Sequence, residues 1–394
     1  MAENFGYYKD ESDSGRHKGS GHKNGSLLLK VLDVLVVVVT FVGGVALLLA
    51  LLSKWISPQH ASVLAFLGLF YPIIYIVNCI CGLWWAIRWR KLFFVSLAVL
   101  LMGFGNLKLF YHNDLRKEYS APPRGRDEIT LVSFNVMNFS APDDSNGVKC
   151  YDAIINFLNE RRVAIVCMQE AYFSQSFDVQ QLKERLSGIS YSHHVNSSGS
   201  GEHGSGLVIL STYPIVRNGI VQIDSTSVRS IWSDLKIGRD TVRVVCNHLQ
   251  STAIDQEDMH TTLTPQIMED TLAREKLMVV GRKMARNYRA RAEQAELLHR
   301  FVEESPYRTI VCGDFNDTPV SYAVNKVSSG MQDAFVECGR GTCPTFKGFW
   351  NLFRIDYVLL SDGLAVKHYS SFDLEMSDHR PVEVGFEIEN TPDD

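Results

Sequence analysis

Gly313-Asp314-Phe315-Asn316-Asp317 directly follows the apolar run Thr309-Ile310-Val311-Cys312, so an acid, an amide and a second acid stand where a buried-type strand ends. Side chains alternate along an extended chain, which points Asp314 and Asn316 the same way. Asn316 can then hydrogen-bond Asp314 or a bound phosphate, while Asp314 takes a proton from water. Gly-Asp and Asn-Asp are also ordinary turn chemistry, so the pentapeptide gains weight only from its company. Thr318-Pro319 reads as the cap and first residue of a following helix. The company stands at the ends of other apolar runs. Asn135 ends Ser133-Phe134-Asn135, Glu170 ends Cys167-Met168-Gln169-Glu170, and His248 follows a strand in Cys246-Asn247-His248-Leu249. Asp356 opens a strand in Arg354-Ile355-Asp356-Tyr357-Val358, and Ser377-Asp378-His379-Arg380-Pro381 precedes the last one.

Gathering these ends requires many strands. Strand-like runs are Ile129–Val136, Ala164–Met168, Gly206–Ser211, Arg229–Ile237, Thr241–His248, Arg308–Cys312, Ile355–Leu360 and Val382–Ile388. Helical patterns occupy Tyr151–Glu160, Val179–Leu186 and a long stretch from about Pro265 to Glu304. On that stretch Leu277, Val280, Met284, Tyr288, Arg291, Ala295, Leu298 and Val302 recur at three- and four-residue steps, one amphipathic face. Several strands follow one another without a helix between, which argues for an α/β four-layer sandwich of two packed sheets with helices outside, over residues 127–390. Arg291 and Gln294 could buttress the site or be helix-surface groups, and Arg354 could meet phosphate or be a surface charge. His193, His194 and His203 lie in a Gly/Ser-rich stretch without ligand spacing and read as loop residues bordering a cleft.

The first third of the chain is of another kind. Residues 1–26 are polar and read as a disordered cytoplasmic tail. Val34 to Leu52 and Ala61 to Ile87 are uncharged apolar runs, and Leu92 to Leu107 extends to Tyr111 if Lys108 snorkels. Three runs in a row, with no cleavage-like site after the first, predict three transmembrane helices over 27–111, then a linker over 112–126. Lys9, Arg16, Lys18, Lys23 and Lys30 precede the first run, and Arg88, Arg90 and Lys91 follow the second, against Lys54 alone in the first loop. This bias predicts an integral membrane protein with the C-terminal domain outside the cytoplasm. Lys108, Arg116, Lys117, Arg124 and Arg126 argue the other way.

Charge divides along the same line. Residues 1–120 carry 12 Lys/Arg against 7 Asp/Glu, and residues 121–394 carry 27 against 37, so a +5 segment precedes a −10 domain. An acidic domain lacks the broad positive field of non-specific nucleic-acid binding. The eight cysteines have no zinc spacing. Cys338 and Cys343 bracket a Gly-containing loop and could pair or stay separate thiols.

Taken in order, the six strand-end motifs and Gly206-Leu207-Val208-Ile209-Leu210-Ser211-Thr212-Tyr213-Pro214-Ile215 resemble the endonuclease/exonuclease/phosphatase superfamily, the DNase I-like metal-dependent phosphoesterases, over roughly residues 127–390. A membrane-anchored, bacterial-type member is the expectation. The resemblance implies Mg²⁺, with Mn²⁺ as substitute, and hydrolysis of a phosphodiester or phosphomonoester by in-line attack of water. Glu170 is the metal-ligand candidate, since Mg²⁺ takes one or two carboxylates plus waters and phosphate oxygen. Asn135 would support it, Asp314 held by Asn316 would deprotonate water, and His379 and His248 would bind phosphoryl oxygens. Asp356 would fix the tautomer of His379 and favour its cation. In the family the acid at the position of Asp378 can also serve a metal, which makes Asp378 a secondary ligand candidate. The expected substrate is a lipid headgroup, nucleotide or sugar phosphate. The alternatives are an extracytoplasmic nuclease and an idle membrane-anchored binding module.

Overall fold

The computed structural model describes residues 21–112, 127–140, 150–197, 203–252 and 271–389. The first twenty residues of the expected tail and residues 113–126 of the expected linker lie outside the described residues. Strands are numbered in chain order. One sheet runs β13 (Leu364–Ser371), β14 (Val382–Ile388), β2 (Ile129–Asn135), β3 (Ile165–Phe173), β5 (Gly204–Ser211), β4 (Tyr191–Asn196). The other runs β10 (Gln332–Asp333), β12 (Asp356–Leu360), β9 (Arg308–Asp314), β8 (Asp240–His248), β7 (Ser230–Ile237), β6 (Ile215–Ile220). Each sheet holds one parallel pair, β2 with β3 and β8 with β9, among antiparallel neighbours.

The central strands are apolar on both faces because both faces are covered. Leu131, Ile165 and Ile209 meet Val244, Ile310 and Val358 between the sheets. Outside the first sheet, Ile154 and Leu158 of α5 (Tyr151–Arg161) and Leu182 of α6 (Val179–Arg185) pack on Val132 and Val166. Outside the second, Ala295 and Leu298 of the long helix Thr271–Glu303 pack on Val245 and Val311. This is the expected two-sheet sandwich with flanking helices. Along the long helix Val280, Met284, Tyr288, Arg291, Ala295 and Leu298 are buried, whereas Leu277 is exposed.

Besides the two-residue strands β1 (Tyr111–His112), β10 and β11 (Gly341–Thr342), three longer strands escaped the sequence reading. β4, β6 and β13 carry few fully buried residues, and all three end their sheets, where the apolar demand is lowest. His193 and His194 therefore stand on a strand, not in a loop. His193 Nδ1 lies 3.3 Å from Ser233 Oγ, and His194 packs edge-on to Phe173 at 4.7 Å. Burial pushes both imidazoles down, His193 to about 4. The unfolded chain then binds more protons than the folded one between about pH 4 and the free value near 6.5. Stability of the detergent-solubilised chain is expected to fall as pH drops through that window, and His193→Gln is expected to flatten the slope. An unchanged slope in denaturation at pH 5 and 7 would contradict this.

The N-terminal segment departs from three straight spans. Helix α1 (Gly21–Leu52) contains Leu27–Leu52, long and apolar enough to cross a membrane. The second run is broken into α2 (Pro58–Leu69) and α3 (Tyr71–Ile87), bent by 59° ahead of Pro72, which has no N–H for the preceding turn. The third, α4 (Leu92–Phe104), has 13 residues. At 1.5 Å per residue it covers ~20 Å of a ~30 Å hydrocarbon core. Among the described residues one helix, or two if the bent pair counts as one, is long and apolar enough to cross a membrane. Polar links join these helices: Asn78 Nδ2 donates to Gly43 O (3.0 Å), Trp85 Nε1 to Thr40 Oγ1 (2.8 Å) and Tyr71 Oη to Gly103 O (2.6 Å).

The same segment is fastened to the sandwich. Ser53 Oγ donates to Val320 O (2.7 Å), Asn325 Nδ2 to Lys54 O (3.1 Å), and Phe66 packs edge-on to Tyr288 at 5.4 Å. Beyond α4, β1 (Tyr111–His112) pairs with β11 (Gly341–Thr342). Ser321, not Thr318, caps the helix after the Asp314 turn, accepting from Val324 N at 3.2 Å, and that helix begins at Tyr322. Cys338 and Cys343 are separate thiols, the first directed at Val366 O and the second at Tyr369 Oη.

Candidate active site

Register assembles the site. In the second sheet Asp314 lies opposite His248 of β8 on one side and Asp356 of β12 on the other, so three strand ends form one row. In the first sheet Asn135 lies opposite Gln169, with Glu170 next along β3. The two rows face each other across the sandwich edge. Asn135 Nδ2 bridges them, 3.2 Å from Glu170 Oε1 and 3.2 Å from Asp314 Oδ2. His248 Nε2 lies 3.6 Å from the same two oxygens.

The Asp314 turn is tightly specified. Gly313 has φ +132°, and a Cβ there would stand 2.0 Å from Asn247 O, so only glycine fits. Asn316 N donates to Asp314 Oδ1 (2.7 Å), and Asn316 Nδ2 reaches both Asp314 Oδ2 (3.2 Å) and Leu249 O (3.1 Å). Glu170 and Asn316 adopt φ +52° and +54°, the left-handed region that non-glycine residues enter at a cost, usually at functional positions. Beneath the turn, buried Arg291 pairs with Asp317 (2.9 Å) and donates through Nε to Gln250 O (2.8 Å). Arg291 thus buttresses the turn. Gln294 Oε1 accepts from Gln250 N at 2.8 Å.

His379 is held from the other side. Its Nδ1 lies 2.9 Å from Asp356 Oδ2 and its Nε2 3.8 Å from Asp314 Oδ2. Burial lowers its pKa, but the Asp356 and Asp314 carboxylates outweigh burial and raise it to about 10, so the ring is cationic at neutral pH. Asp314 moves the other way: burial, partly offset by His379, lifts it to about 6. Burial also raises Glu170 and lowers His248, leaving the latter neutral. Asp378 is half-buried beside Ser377, close enough for its charge to act on Glu170 and His379.

Two positioning residues escaped the sequence reading. Thr345 Oγ1 accepts from Ile355 N (2.9 Å) and Asp356 N (3.0 Å), and Ser377 Oγ donates to Asn135 O (2.7 Å) while accepting from His379 N (3.1 Å). Ser377 stood inside a quoted motif, yet its link to Asn135 spans 242 positions, which no local pattern reveals. Thr345→Val keeps the shape but leaves two buried N–H groups unsatisfied, so a loss of ~1–3 kcal/mol is expected in chemical denaturation. Arg354 is neither a phosphate ligand nor a surface charge: it is buried and paired with Asp333 at 2.8 Å.

Among the described residues, one group of acids and imidazoles has donor atoms within 4.8 Å of one another, namely Asp314, Asp356 and His379. Glu170 and Asp378 are not in it. Since Asp356 and His379 bond each other, that group is first a proton network, with Glu170 at its more open rim.

A family model described as Endonuclease/Exonuclease/phosphatase family matches residues 132–379, and one described as Domain of unknown function (DUF8431) matches residues 33–110. No curated protein matches the chain. Among solved structures, an endonuclease/exonuclease/phosphatase from Bacteroides vulgatus is 20% identical with a TM-score of 0.50, over 66% of this chain and 99% of that one. A mannosyl-6-phosphatase from Bacteroides thetaiotaomicron is 19% identical over 66% and 99%, with a TM-score of 0.46. TDP2 of D. rerio, complexed with single strand DNA product, is 17% identical over 67% and 99%, with a TM-score of 0.47. The family match spans both halves of the sandwich and every residue of the site from Asn135 to His379, and the chain belongs to the endonuclease/exonuclease/phosphatase family.

Proposed function

We propose that the chain is a membrane-tethered, Mg²⁺-dependent phosphoesterase that hydrolyses a phosphodiester or phosphomonoester outside the cytoplasm. The observation that carries this reading is the convergence of Glu170, Asn135, His248, Asp314 and the Asp356–His379 pair on one sandwich edge. The donor set suits a hard cation. Glu170 offers a carboxylate at the open rim with Asn135 as its hydrogen-bond donor, Asp378 stands near it, and Asp356 Oδ1 is buried with no hydrogen-bond partner among the described residues. Glu170, with Asp378 second, would hold Mg²⁺ or Mn²⁺, which would offset charge on the phosphoryl oxygens.

The chain's own residues account for the rest. Asp314, oriented by Asn316, accepts a proton from water as the water oxygen bonds to phosphorus and the ester P–O bond breaks. The departing oxygen takes its proton from solvent. Cationic His379 and neutral His248 donate to the phosphoryl oxygens where negative charge builds. Asp356 accepts from the Nδ1–H of His379 and so orients the ring with its Nε2–H toward substrate. The −10 charge of residues 121–394 and their outside placement favour a lipid headgroup or a soluble phosphoester over genomic DNA.

A panel of phosphomonoesters, phosphodiesters and single-stranded DNA, offered to the detergent-solubilised full chain, tests the reading. Cleavage of a mono- or diester is expected. Cleavage of DNA alone would replace the substrate class, and cleavage of nothing would sink the enzyme. A C-terminal reporter active only outside the cytoplasm is expected to be active; one that works only inside would overturn the orientation.

A further inference from the structure

One part of the site's rim has no role in this chemistry, the loop between Phe346 and Phe353. Its ends are fixed at the site: Phe346 bridges both Phe353 and His379, and its ring lies 5.3 Å from that of His379. Between them Phe349, Trp350 and Asn351 take φ of 49°, 56° and 57°. Left-handed backbone costs a non-glycine residue ~1–2 kcal/mol. Phe349 stays against Phe353 at 5.3 Å, while the turn projects Trp350, 75% exposed, and Leu352, 47% exposed.

Two residues further on, buried Arg354 donates through Nη2 to Leu109 O at 3.1 Å, in the short turn that follows α4. Four residues span at most ~14 Å, so the Trp350 backbone lies within that distance of Arg354. The same exit segment touches the end of α1, where Lys54 Nζ donates to Asn106 Oδ1 at 3.2 Å and Trp55 is 71% exposed. The apolar tip therefore lies only a few residues along the chain from the bond that ties the sandwich to the segment after α4. Tryptophan favours the headgroup zone, where its ring is part apolar and part wet.

We propose that the loop Gly348–Leu352 docks on the lipid bilayer, with Trp350 and Leu352 in the interface, so that the mouth of the site beside Phe346 and His379 faces the headgroup layer. This rests on the membrane-tethered reading. A phosphate ester carried by a lipid then meets Glu170 and Asp314 at the bilayer surface.

The test places the full chain in phosphatidylcholine nanodiscs, with or without lipid brominated near the glycerol end of its acyl chains. Subtracting the emission of Trp350→Ser from that of the unaltered chain isolates Trp350, because the other tryptophans are common to both. Loss of most of the Trp350 emission to brominated lipid, with little loss to acrylamide in the water phase, is expected. Emission untouched by brominated lipid overturns the proposal, whether acrylamide reaches it (a loop in solvent) or not (a loop covered by protein). Trp350→Phe repeats the subtraction should serine perturb the loop. No substrate is needed, so a chain that inserts the loop but cleaves nothing would sink the hydrolase reading alone.

Discussion

Asp314→Asn is expected to lower hydrolysis by ~10²–10⁴-fold, the usual cost of losing a general base. Asparagine keeps the shape and can still accept from Asn316 N, so the turn survives while the proton acceptor is gone. Burial holds Asp314 at about 6, so its base form dominates at neutral pH and disappears as pH falls below that value. The acid limb of the rate profile should therefore be absent from the residual activity of Asp314→Asn. Added Mg²⁺ should not restore the rate, because the defect is in proton transfer. Rate against pH and against Mg²⁺ concentration checks both points.

Glu170→Gln is the opposite kind of lesion. Its carbonyl can still accept from Asn135 Nδ2, but the negative charge at the open rim is lost. Metal affinity should weaken by more than the ~10–100-fold typical of outer-shell partners. Activity should fall steeply at low Mg²⁺ and recover in part at high Mg²⁺, since mass action offsets weakened binding. Rescue of Asp314→Asn with none for Glu170→Gln would mean that the two carboxylates have exchanged roles.

The contrast between these carboxylates was legible because each ends an apolar run. Asn135, Glu170, His248, Asp314 and Asp356 stand where hydrophobic pattern meets a polar residue; register sets His248, Asp314 and Asp356 in one row, and hydrogen bonds join Glu170 to Asn135 and His379 to Asp356. The packed core was legible for the same reason: Leu131, Val244 and Ile310 sit in runs that only covered strands tolerate. What pattern does not encode is pairing between distant segments. Thr345 beneath Asp356, Ser377 on Asn135 O and Arg354 on Asp333 are polar side chains whose partners lie 11, 242 and 21 positions away in the chain. Edge strands such as β4 and β6 need little apolar surface and so look like loops. The bend at Phe70 interrupts an uncharged run whose composition alone reads as one helix, although Pro72 marked the place.

The proposed reaction places phosphate-ester hydrolysis at one metal-dependent site on this sandwich edge. Its most direct test is cleavage by the purified full chain in EDTA and then in rising Mg²⁺, beside Asp314→Asn protein purified in the same way. Cleavage is expected to vanish in EDTA, to return with Mg²⁺ and to be ~10²–10⁴-fold slower in the variant. Cleavage that is equal in EDTA, or that persists at full rate in Asp314→Asn, would contradict it.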